Sequence, residues 1–376
     1  MNILKKNIET EMQNGNYHVA LKRCIDFALN MPFTIEIKDV VLAMADSLNA
    51  EINNETINNQ ITLFFDIYER LNIQTNAEDS IVVDVQEISK RYNVGAFQFK
   101  PVSFQLKTGE LTGIVGQNGN GKTTLLRMLC GDLMPWGGDI IYPELSLKND
   151  PYAIKQYVGF IPQRIPKWYG KLEENLIFTL SGKGIPKDEI LFRVEVMLKR
   201  LGLYQYRQHL WSEISSGYRT RFELARILLV KPKVLILDEP LANLDIMAQQ
   251  TFLQDLKFMV KSEIYPMSII LSSQLLHEVE QVSDNVIFIK DGTCIFQNGK
   301  ENNSETGVVE FITDNSFQQV SSIAMALGAE IKSESNFYTL SVPKSITSKQ
   351  VLQSLIESDI DIQYFRNITN STKRLF

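Results

Sequence analysis

The N-terminal part of the chain has hydrophobic residues at the three- and four-residue spacing that is typical of amphipathic helices. The spacing is clearest in residues 17–31, where Pro32 ends the run, and it returns at about 35–49 and 55–72. A polar stretch at 74–79 follows and is typical of a linker. The pattern therefore predicts a helical N-terminal segment that is separated from the rest of the chain.

The middle of the chain changes to patterns that are typical of strands. Hydrophobic residues alternate with polar ones at 81–86 and 97–106, which predicts two strands with one buried face each. Short apolar runs at 111–115, 234–239 and 268–273 predict buried strands of a parallel sheet. Because helical spacing separates these runs, the pattern predicts an α/β domain.

Helical spacing fills most of residues 165–231, and residues 285–296 are predicted to form a hairpin that turns at Asp291-Gly292. A polar, glycine-containing stretch from Asn298 to Thr306 is typical of a second linker. The tail has predicted elements in the order strand 307–312, helix 316–326, strands near 329–333 and 337–342, helix 347–358 and strand 360–365. This βαββαβ order is the split βαβ arrangement of small α+β domains.

These breaks divide the 376-residue chain into three parts, in agreement with ~150 residues per domain. The parts are a helical N-terminal extension, 1–79, an α/β domain, 80–304, and a C-terminal α+β domain, 305–376. One hairpin of the extension resembles a tetratricopeptide repeat, but such repeats usually form arrays of about three. We therefore interpret the extension as a helical cap or docking domain, and the C-terminal domain as a regulatory or dimerising module.

The composition excludes several classes of protein. Hydrophobic residues make up 44% and charged residues 22% of the chain, which is ordinary for a globular protein. The formal net charge of -6 provides no basic footprint for nucleic acid. Three cysteines and three histidines are scattered, so no zinc or redox spacing is present. No apolar run approaches the ~20 residues of a membrane span, and no signal peptide is apparent, so we expect a cytosolic chain that does not cross a membrane by itself.

A glycine-rich motif supplies the first candidate chemistry. It follows the predicted strand 111–115, precedes a predicted helix, and fits G-x-x-x-x-G-K-[ST]. The glycines let the backbone turn successive N–H groups toward one point, where the helix N-terminus also favours an anion. Lys122 is expected to reach the β- and γ-phosphates of a nucleotide, and the Thr123 hydroxyl to hold Mg²⁺. The predicted nucleotide-binding residues of this loop are Gly116, Gln117, Asn118, Gly119, Asn120, Gly121, Lys122, Thr123 and Thr124.

Two acidic residues end the apolar run at 234–239. In phosphate-loop enzymes an acid at the end of such a strand completes the Mg²⁺ shell, which predicts this role for Asp238. The adjacent Glu239 can orient the attacking water or accept a proton from it. The alternative is a pair of strand-end acids that caps a neighbouring helix.

The order of further motifs resembles the ATP-binding cassette (ABC) family. Ile-Ser-Ser-Gly-Tyr at 214–218 precedes Asp238-Glu239, Leu244-Asp245 follows them, and Gln163 lies between the phosphate loop and these motifs. The resemblance covers about 80–298. It implies an α/β fold with a mixed sheet core, an antiparallel β subdomain and a helical subdomain, to which this chain adds its two terminal domains.

The resemblance also implies roles for single residues. Tyr92 matches the aromatic that stacks on adenine, a contact worth ~1–3 kcal/mol, although Phe97 and burial of Tyr92 in the core are alternatives. Gln163 matches the glutamine that contacts Mg²⁺ and the attacking water. Ser215 and Gly217 match the signature that contacts the γ-phosphate bound by the opposite protomer. ATP would therefore join two cassettes, with Asp245 as a link between their two sites.

The chain departs from the family pattern at two places. The signature is usually Leu-Ser-Gly-Gly-Gln, whereas Ser216 and Tyr218 replace a glycine and a glutamine here. Gln274 stands where the family usually has histidine, and His277 comes three residues later on a predicted helix. We predict Glu239, Gln274 and Gln163 as catalytic residues and Thr123, Gln163 and Asp238 as Mg²⁺ ligands, with slow or partner-dependent hydrolysis as a consequence of Gln274.

The resemblance predicts the partners of the chain. It implies an ATPase subunit of a transporter, which dimerises with a second cassette and drives a separate permease from the inner face of the cell membrane. The C-terminal module resembles one that follows many exporter ATPases. Trp168-Tyr169 lie where the permease docks in this family, and their burial in the helical subdomain is the alternative. The alternative is a non-transport or regulatory ABC ATPase that binds ATP and hydrolyses it slowly.

Overall fold

The computed structural model describes residues 3–50, 52–71, 80–92, 95, 97–145, 150–242, 244–262, 265–298, 306–334, 337–343 and 345–368. The helices are α1 (Ile3–Gln13), α2 (Tyr17–Ala28), α3 (Ile35–Ser47), α4 (Asn54–Leu71), α5 (Lys122–Leu129), α6 (Pro151–Tyr157), α7 (Leu172–Ser181), α8 (Lys187–Arg200), α9 (Ser216–Val230), α10 (Ile246–Val260), α11 (Leu276–Val282), α12 (Phe317–Ala326) and α13 (Ser348–Glu357). The strands are β1 (Ile81–Arg91), β2 (Gln98–Lys107), β3 (Leu111–Val115), β4 (Gly137–Ile141), β5 (Val158–Ile161), β6 (Val234–Asp238), β7 (Ser268–Ser273), β8 (Asn285–Lys290), β9 (Thr293–Asn298), β10 (Thr306–Ile312), β11 (Glu330–Glu334), β12 (Phe337–Pro343) and β13 (Tyr364–Asn367). The predicted linker at 74–79 and residues 299–305 of the second linker lie outside the described residues.

A six-stranded sheet in the order β5-β6-β7-β3-β8-β9 forms the centre of the molecule. The neighbours from β5 to β8 are parallel, and β9 returns antiparallel to β8 through the predicted hairpin. Every residue of β3, β6 and β7 is buried, because helices cover both faces of the sheet. Since β6, β7 and β3 are parallel neighbours, their carboxyl ends meet at one edge, which is where ligands bind in such sheets.

A second, antiparallel sheet has the strand order β2-β1-β4. The prediction of strand 81–86 was too short, because β1 continues to Arg91 after an irregularity between Val85 and Ile88. Glu87 lies in this bulge with φ 50°, so the alternation of buried residues shifts there. Gly138 faces the bulge, where an added Cβ would lie 2.3 Å from the carbonyl oxygen of Glu87.

The N-terminal extension consists of α1 to α4, as the helical spacing predicts. Its interior is apolar, and Phe27 contacts Phe64 edge to face with ring centroids 6.4 Å apart. The extension also packs on the helical region formed by α7, α8 and α9. Phe33 contacts Phe192 of α8 with ring centroids 5.3 Å apart. The extension therefore packs directly against the helical region.

Buried ion pairs connect the extension with two other parts of the chain. The guanidinium of Arg200, at the end of α8, forms two 2.8 Å hydrogen bonds with Asp26 of α2 and lies 3.2 Å from Asp255 of α10. Arg23 of α2 lies 3.4 Å from Asp255 and over the ring of Phe258. Burial disfavours the charged form of Arg200, yet the two carboxylates raise its pKa above the usual value. We call these four charged residues the junction network.

The C-terminal domain confirms the predicted βαββαβ order. Its four strands form an antiparallel sheet in the order β11-β12-β10-β13, with α12 and α13 packed on one face. The prediction of the last strand at 360–365 was wrong in position, because β13 begins at Tyr364. Asp359 has φ 57° and the Ile360 N–H donates to the Leu355 carbonyl, so this segment still closes α13. None of the helices in the described ranges combines the length with the hydropathy that a membrane span requires.

Candidate nucleotide-binding site

The phosphate loop joins β3 to α5 at the carboxyl edge of the central sheet. Gly121 precedes α5 with φ 104°, and an added Cβ would lie 2.8 Å from the ring of Phe97. Glycine is therefore required there by both the backbone and the close approach. The N-terminus of α5 and the loop N–H groups supply the positive potential that suits a phosphate.

Lys122 lies at the base of this loop and is 5% exposed. Its ammonium donates to the carbonyl of Gly116 at 2.6 Å and to that of Gln117 at 3.3 Å. It also lies 2.9 Å from a carboxylate oxygen of Glu239. Because Glu239 neutralises Lys122, phosphate groups in the loop would compete with this carboxylate for the ammonium.

The two predicted acids are held by hydroxyl groups. The Thr123 hydroxyl donates to Oδ2 of Asp238 at 2.8 Å, and the Ser272 hydroxyl donates to Oδ1 at 2.7 Å. The Glu239 N–H donates to the same Ser272 hydroxyl at 2.9 Å. Asp238 and the Glu239 N–H thus bond hydroxyl groups of the loop and of β7, which does not support the alternative that the two acids cap a helix. Sequence patterns do not distinguish Ser272 from any other strand residue, because only the alignment of β6 with β7 brings it to Asp238.

A cleft of about 330 Å³ opens above the loop, within the size range of small-ligand sites. It is lined by Tyr92, Phe97, Gln117, Asn118, Gly119, Gly121, Lys122, Thr123, Thr124, Gln163 and Glu239. The Tyr92 ring is 41% exposed, and its hydroxyl lies 3.1 Å from that of Thr124. Tyr92 is therefore at the mouth of the cleft rather than in the core, with Phe97 6.3 Å away between ring centroids.

Other predicted residues lie elsewhere. Asn120 belongs to the loop, but its side-chain amide bonds the hairpin at Ile289 and Asp291 instead of facing the cleft. Ser215 caps α9, and Gly217 lies in the first turn of that helix. Ser215, Gly217 and Gln274 are not among the described residues that line the cleft.

The remaining predicted residues lie outside the described lining of the cleft. Gln274 is exposed directly after β7, and His277 lies on α11, where its side chain is outside the described part. Asp245 caps α10 by accepting from the Ala248 N–H at 2.9 Å. Tyr169 is 80% exposed, whereas the Trp168 indole N–H donates to the buried Glu223.

The donor set fits Mg²⁺ together with a nucleotide. Thr123, Asp238 and Gln163 offer hydroxyl, carboxylate and amide oxygens, which are the hard ligands that Mg²⁺ prefers. Few protein ligands are needed, because Mg²⁺ usually keeps waters and binds phosphate oxygens at such sites. When bound, the ion would neutralise charge on the phosphates.

Comparisons with known proteins agree with this geometry. The sequence model of the family described as "ABC transporter" matches residues 99–242. The chain is 31% identical over 204 residues to the ABC transporter ATP-binding protein NatA of Bacillus subtilis, a match that covers 54% of this chain and 82% of that protein. It is 30% identical over 212 residues to the spermidine/putrescine import ATP-binding protein PotA of Mycoplasma mycoides, covering 56% of this chain and 60% of the relative. The chain thus spans less than two thirds of the length of this PotA protein.

Solved structures show the same fold for somewhat more than half of the chain. The structure of cbiO1 from Clostridium perfringens, described as part of the ABC transporter complex cbiONQ, is 30% identical with a TM-score of 0.53. That match covers 59% of this chain and 89% of the other. A dimeric ATP-binding cassette in a post-hydrolysis state, bound to ADP and Pi, has a TM-score of 0.53 at 23% identity, and covers 58% of this chain and 99% of that one. At that identity the second likeness concerns the fold alone.

Proposed function

The chain belongs to the ABC transporter ATP-binding family, and we propose that it binds and hydrolyses ATP to drive a separate membrane permease. The observation that carries this proposal is the convergence of Lys122, Thr123, Asp238 and Glu239 at one sheet edge beneath the cleft. This combination supplies a phosphate cradle, oxygen ligands for Mg²⁺ and a base within one site. The alternative role for the two acids, capping a neighbouring helix, would not require a phosphate loop and a lysine beside them.

The residues of the cleft have separate tasks in this proposal. Tyr92 stacks on the adenine ring, and the loop N–H groups together with Lys122 hold the phosphates. The phosphates draw Lys122 away from Glu239, which leaves that carboxylate free to orient the attacking water and take its proton. Gln163 lies at the cleft between β5 and the helical region, where its amide can contact both the water and the ion.

A second copy of a cassette completes the site. Ser215 and the first turn of α9 present a hydroxyl and backbone N–H groups at an exposed helix start, outside the cleft of their own chain. Such a group suits the γ-phosphate held by another protomer. We therefore assign Ser215 and Gly217 to the partner's nucleotide and Asp245 to the contact between the two sites.

The permease is assigned to the surface near Tyr169. This ring is 80% exposed, and Phe178 on α7 of the same helical region is 77% exposed. Exposed aromatic residues are typical anchors of protein interfaces. The chain would then be peripheral at the inner face of the membrane, and the resemblance of its C-terminal module to one that follows many exporter ATPases favours export.

A slow, regulatory ATPase is the second candidate function. The observation that favours it is Gln274, an exposed and neutral side chain at the end of β7, in place of the family's usual histidine. In that case ATP would control association with a partner more than it would power repeated transport cycles.

Glu239→Gln tests the proposal. We expect this variant to bind ATP at least as well as the parent, because the substitution removes the carboxylate that competes for Lys122. Hydrolysis should slow by roughly 10²-fold or more, because the base is lost. Size-exclusion chromatography of Glu239→Gln with Mg-ATP should then show a cassette dimer. Purification of the variant from membranes should retain a permease.

Lys122→Ala is the matched control. It should abolish tight ATP binding in a calorimetric titration, because the phosphates lose their cation. Unchanged affinity of Lys122→Ala would reject the site. A Glu239→Gln protein that stays monomeric with Mg-ATP would favour the regulatory alternative or a different partner cassette.

A further inference from the structure

Ser272 lies near the carboxyl end of β7 and contacts both acids of the site. Its exposure is 0%, and its position in β7 is aligned with Asp238 in β6. Its hydroxyl makes the two hydrogen bonds already described, at 2.7 Å to Oδ1 of Asp238 and at 2.9 Å from the N–H of Glu239. A single buried side chain thus joins the predicted metal ligand and the predicted base.

The directions of these bonds follow from the chemistry of the groups. A backbone N–H can only donate, so the Ser272 oxygen accepts from Glu239. The one hydroxyl proton is then directed at Asp238, whose other oxygen accepts from Thr123 at 2.8 Å. Asp238 therefore has a hydroxyl donor on each oxygen, which fixes the plane of its carboxylate. Since Thr123 gives its proton to Asp238, the lone pairs of Thr123 remain available to a cation.

The bond to Glu239 holds an unusual backbone. Glu239 has φ 51°, a left-handed conformation that costs free energy for a residue with a Cβ. This turn takes the chain out of β6 and directs the Glu239 carboxylate to Lys122 at 2.9 Å. Without the Ser272 oxygen, the N–H of Glu239 would be a buried donor without this partner, so the turn would lose its support.

We propose that Ser272 is a positioning residue of the ATPase site, which sets Asp238 for the cation and Glu239 for the attacking water. It acts through these two acids and is not among the described residues that line the cleft. The inference rests on the proposed ATPase function and adds a residue that the motifs of the family do not single out in this chain.

The neighbouring Ser273 offers a matched control. It is also buried, at 3% exposure, and its hydroxyl oxygen accepts from the Leu275 N–H at 3.0 Å. Ser273 thus supports the turn after β7, whereas the hydroxyl contacts to the two acids come from Ser272. Removing either hydroxyl deletes the same atom from the same strand, so a general loss of packing should affect both variants.

The experiment compares Ser272→Ala, Ser273→Ala and the parent by calorimetric titration with ATP, first in EDTA and then across a Mg²⁺ series. In EDTA, we expect all three proteins to bind ATP within about twofold of one another, because the phosphate loop is unchanged. For Ser272→Ala, the Mg²⁺ concentration that gives half of the gain in ATP affinity should rise about 10- to 100-fold, the usual effect of losing a partner of a metal ligand. Hydrolysis at saturating Mg²⁺ should also slow, by up to roughly 10²-fold, because Glu239 is displaced. Ser273→Ala should keep the Mg²⁺ midpoint of the parent, and this midpoint is the measurement that compares the two serines, because Ser273 supports the turn that contains Gln274.

The pair Ser272→Thr and Ser272→Val separates the hydroxyl from the volume of the side chain, and also serves if the alanine variant does not fold. Threonine keeps the hydroxyl and valine replaces it with a methyl group of similar size. We expect the threonine variant to retain a lower Mg²⁺ midpoint than the valine variant. Equal midpoints for the two, or a Ser272→Ala protein that matches Ser273→Ala, would overturn the role of Ser272. A parent that binds no ATP would instead overturn the proposed function, and this inference with it.

Discussion

At the scale of single residues, Gln274 stands where the family resemblance predicts a histidine. It follows β7 directly, two residues after Ser272, and its side chain is exposed. Its amide has an N–H₂ donor that can reach a phosphate oxygen, and it is neutral at every pH. A histidine there can also carry charge, so glutamine should give weaker stabilisation as charge shifts in the transition state.

We expect Gln274→Ala to slow ATP hydrolysis with little change in ATP affinity. Losing one preorganised donor costs ~10²–10³ in rate in other enzymes, but an exposed amide outside the cleft lining should be worth less, about tenfold. Gln274→His should match or exceed the parent, and it alone should gain a pH dependence near ~6.5. The measurement is kcat against pH for the three proteins. If alanine at 274 supports the parent's rate, the residue has no part in catalysis.

At the scale of elements, the junction network is the feature that joins α2, α8 and α10. The side chain of Arg200 is 2% exposed, and those of Asp26 and Asp255 are 13% and 15% exposed. Removing one partner of a buried pair leaves the other charge without compensation. The exposed pair of Lys5 and Glu69, at 36% and 60%, differs because water solvates both groups.

Asp26→Asn should therefore lower the free energy of unfolding by roughly 3 kcal/mol, because Arg200 would lose its bidentate partner and keep only Asp255. Glu69→Gln is the control with the same chemical change, and it should cost less than about 1 kcal/mol. Urea denaturation of the two variants and the parent measures both values. Equal effects of the two substitutions would show that the junction network contributes no more than a surface pair.

At the scale of the whole molecule, the N-terminal extension lies against both the helical region and the central domain. Besides the junction network, Arg193 of α8 donates to the carbonyl of Leu29 at 2.8 Å, and Phe192 packs on Phe33. The extension therefore covers apolar surface and charges on two parts of the cassette. These contacts support the interpretation of a helical cap more than that of an independent repeat array.

Deleting residues 1–79 should expose the apolar face of α8. We expect the shortened protein to bind a hydrophobic dye that the parent does not bind, and to lose at least about 5 °C in Tm. Thermal unfolding and dye fluorescence at equal protein concentration provide the test. If the Tm is unchanged and no dye binds, the extension is an appended domain that does not stabilise the cassette.

The sequence by itself determined the features that depend on neighbouring residues. The phosphate loop is one continuous segment, and the acids at 238 and 239 directly follow an apolar run, so their spacing was enough to predict them. The same holds for the N-terminal helices α2, α3 and α4 and for the βαββαβ order of the tail, because each element shows its own hydrophobic period.

Only the tertiary structure decided which segments became neighbours. The order β6-β7-β3 brings Ser272 to Asp238 across 34 residues of chain, and docking of the extension brings Asp26 to Arg200 across 174. The bulge at Glu87 and the late start of β13 were missed because they depend on partner strands and on the closure of a helix. A serine in a strand and an aspartate on a helix look ordinary in sequence, since the energy of a hydrogen bond depends on distance in space and not on separation along the chain.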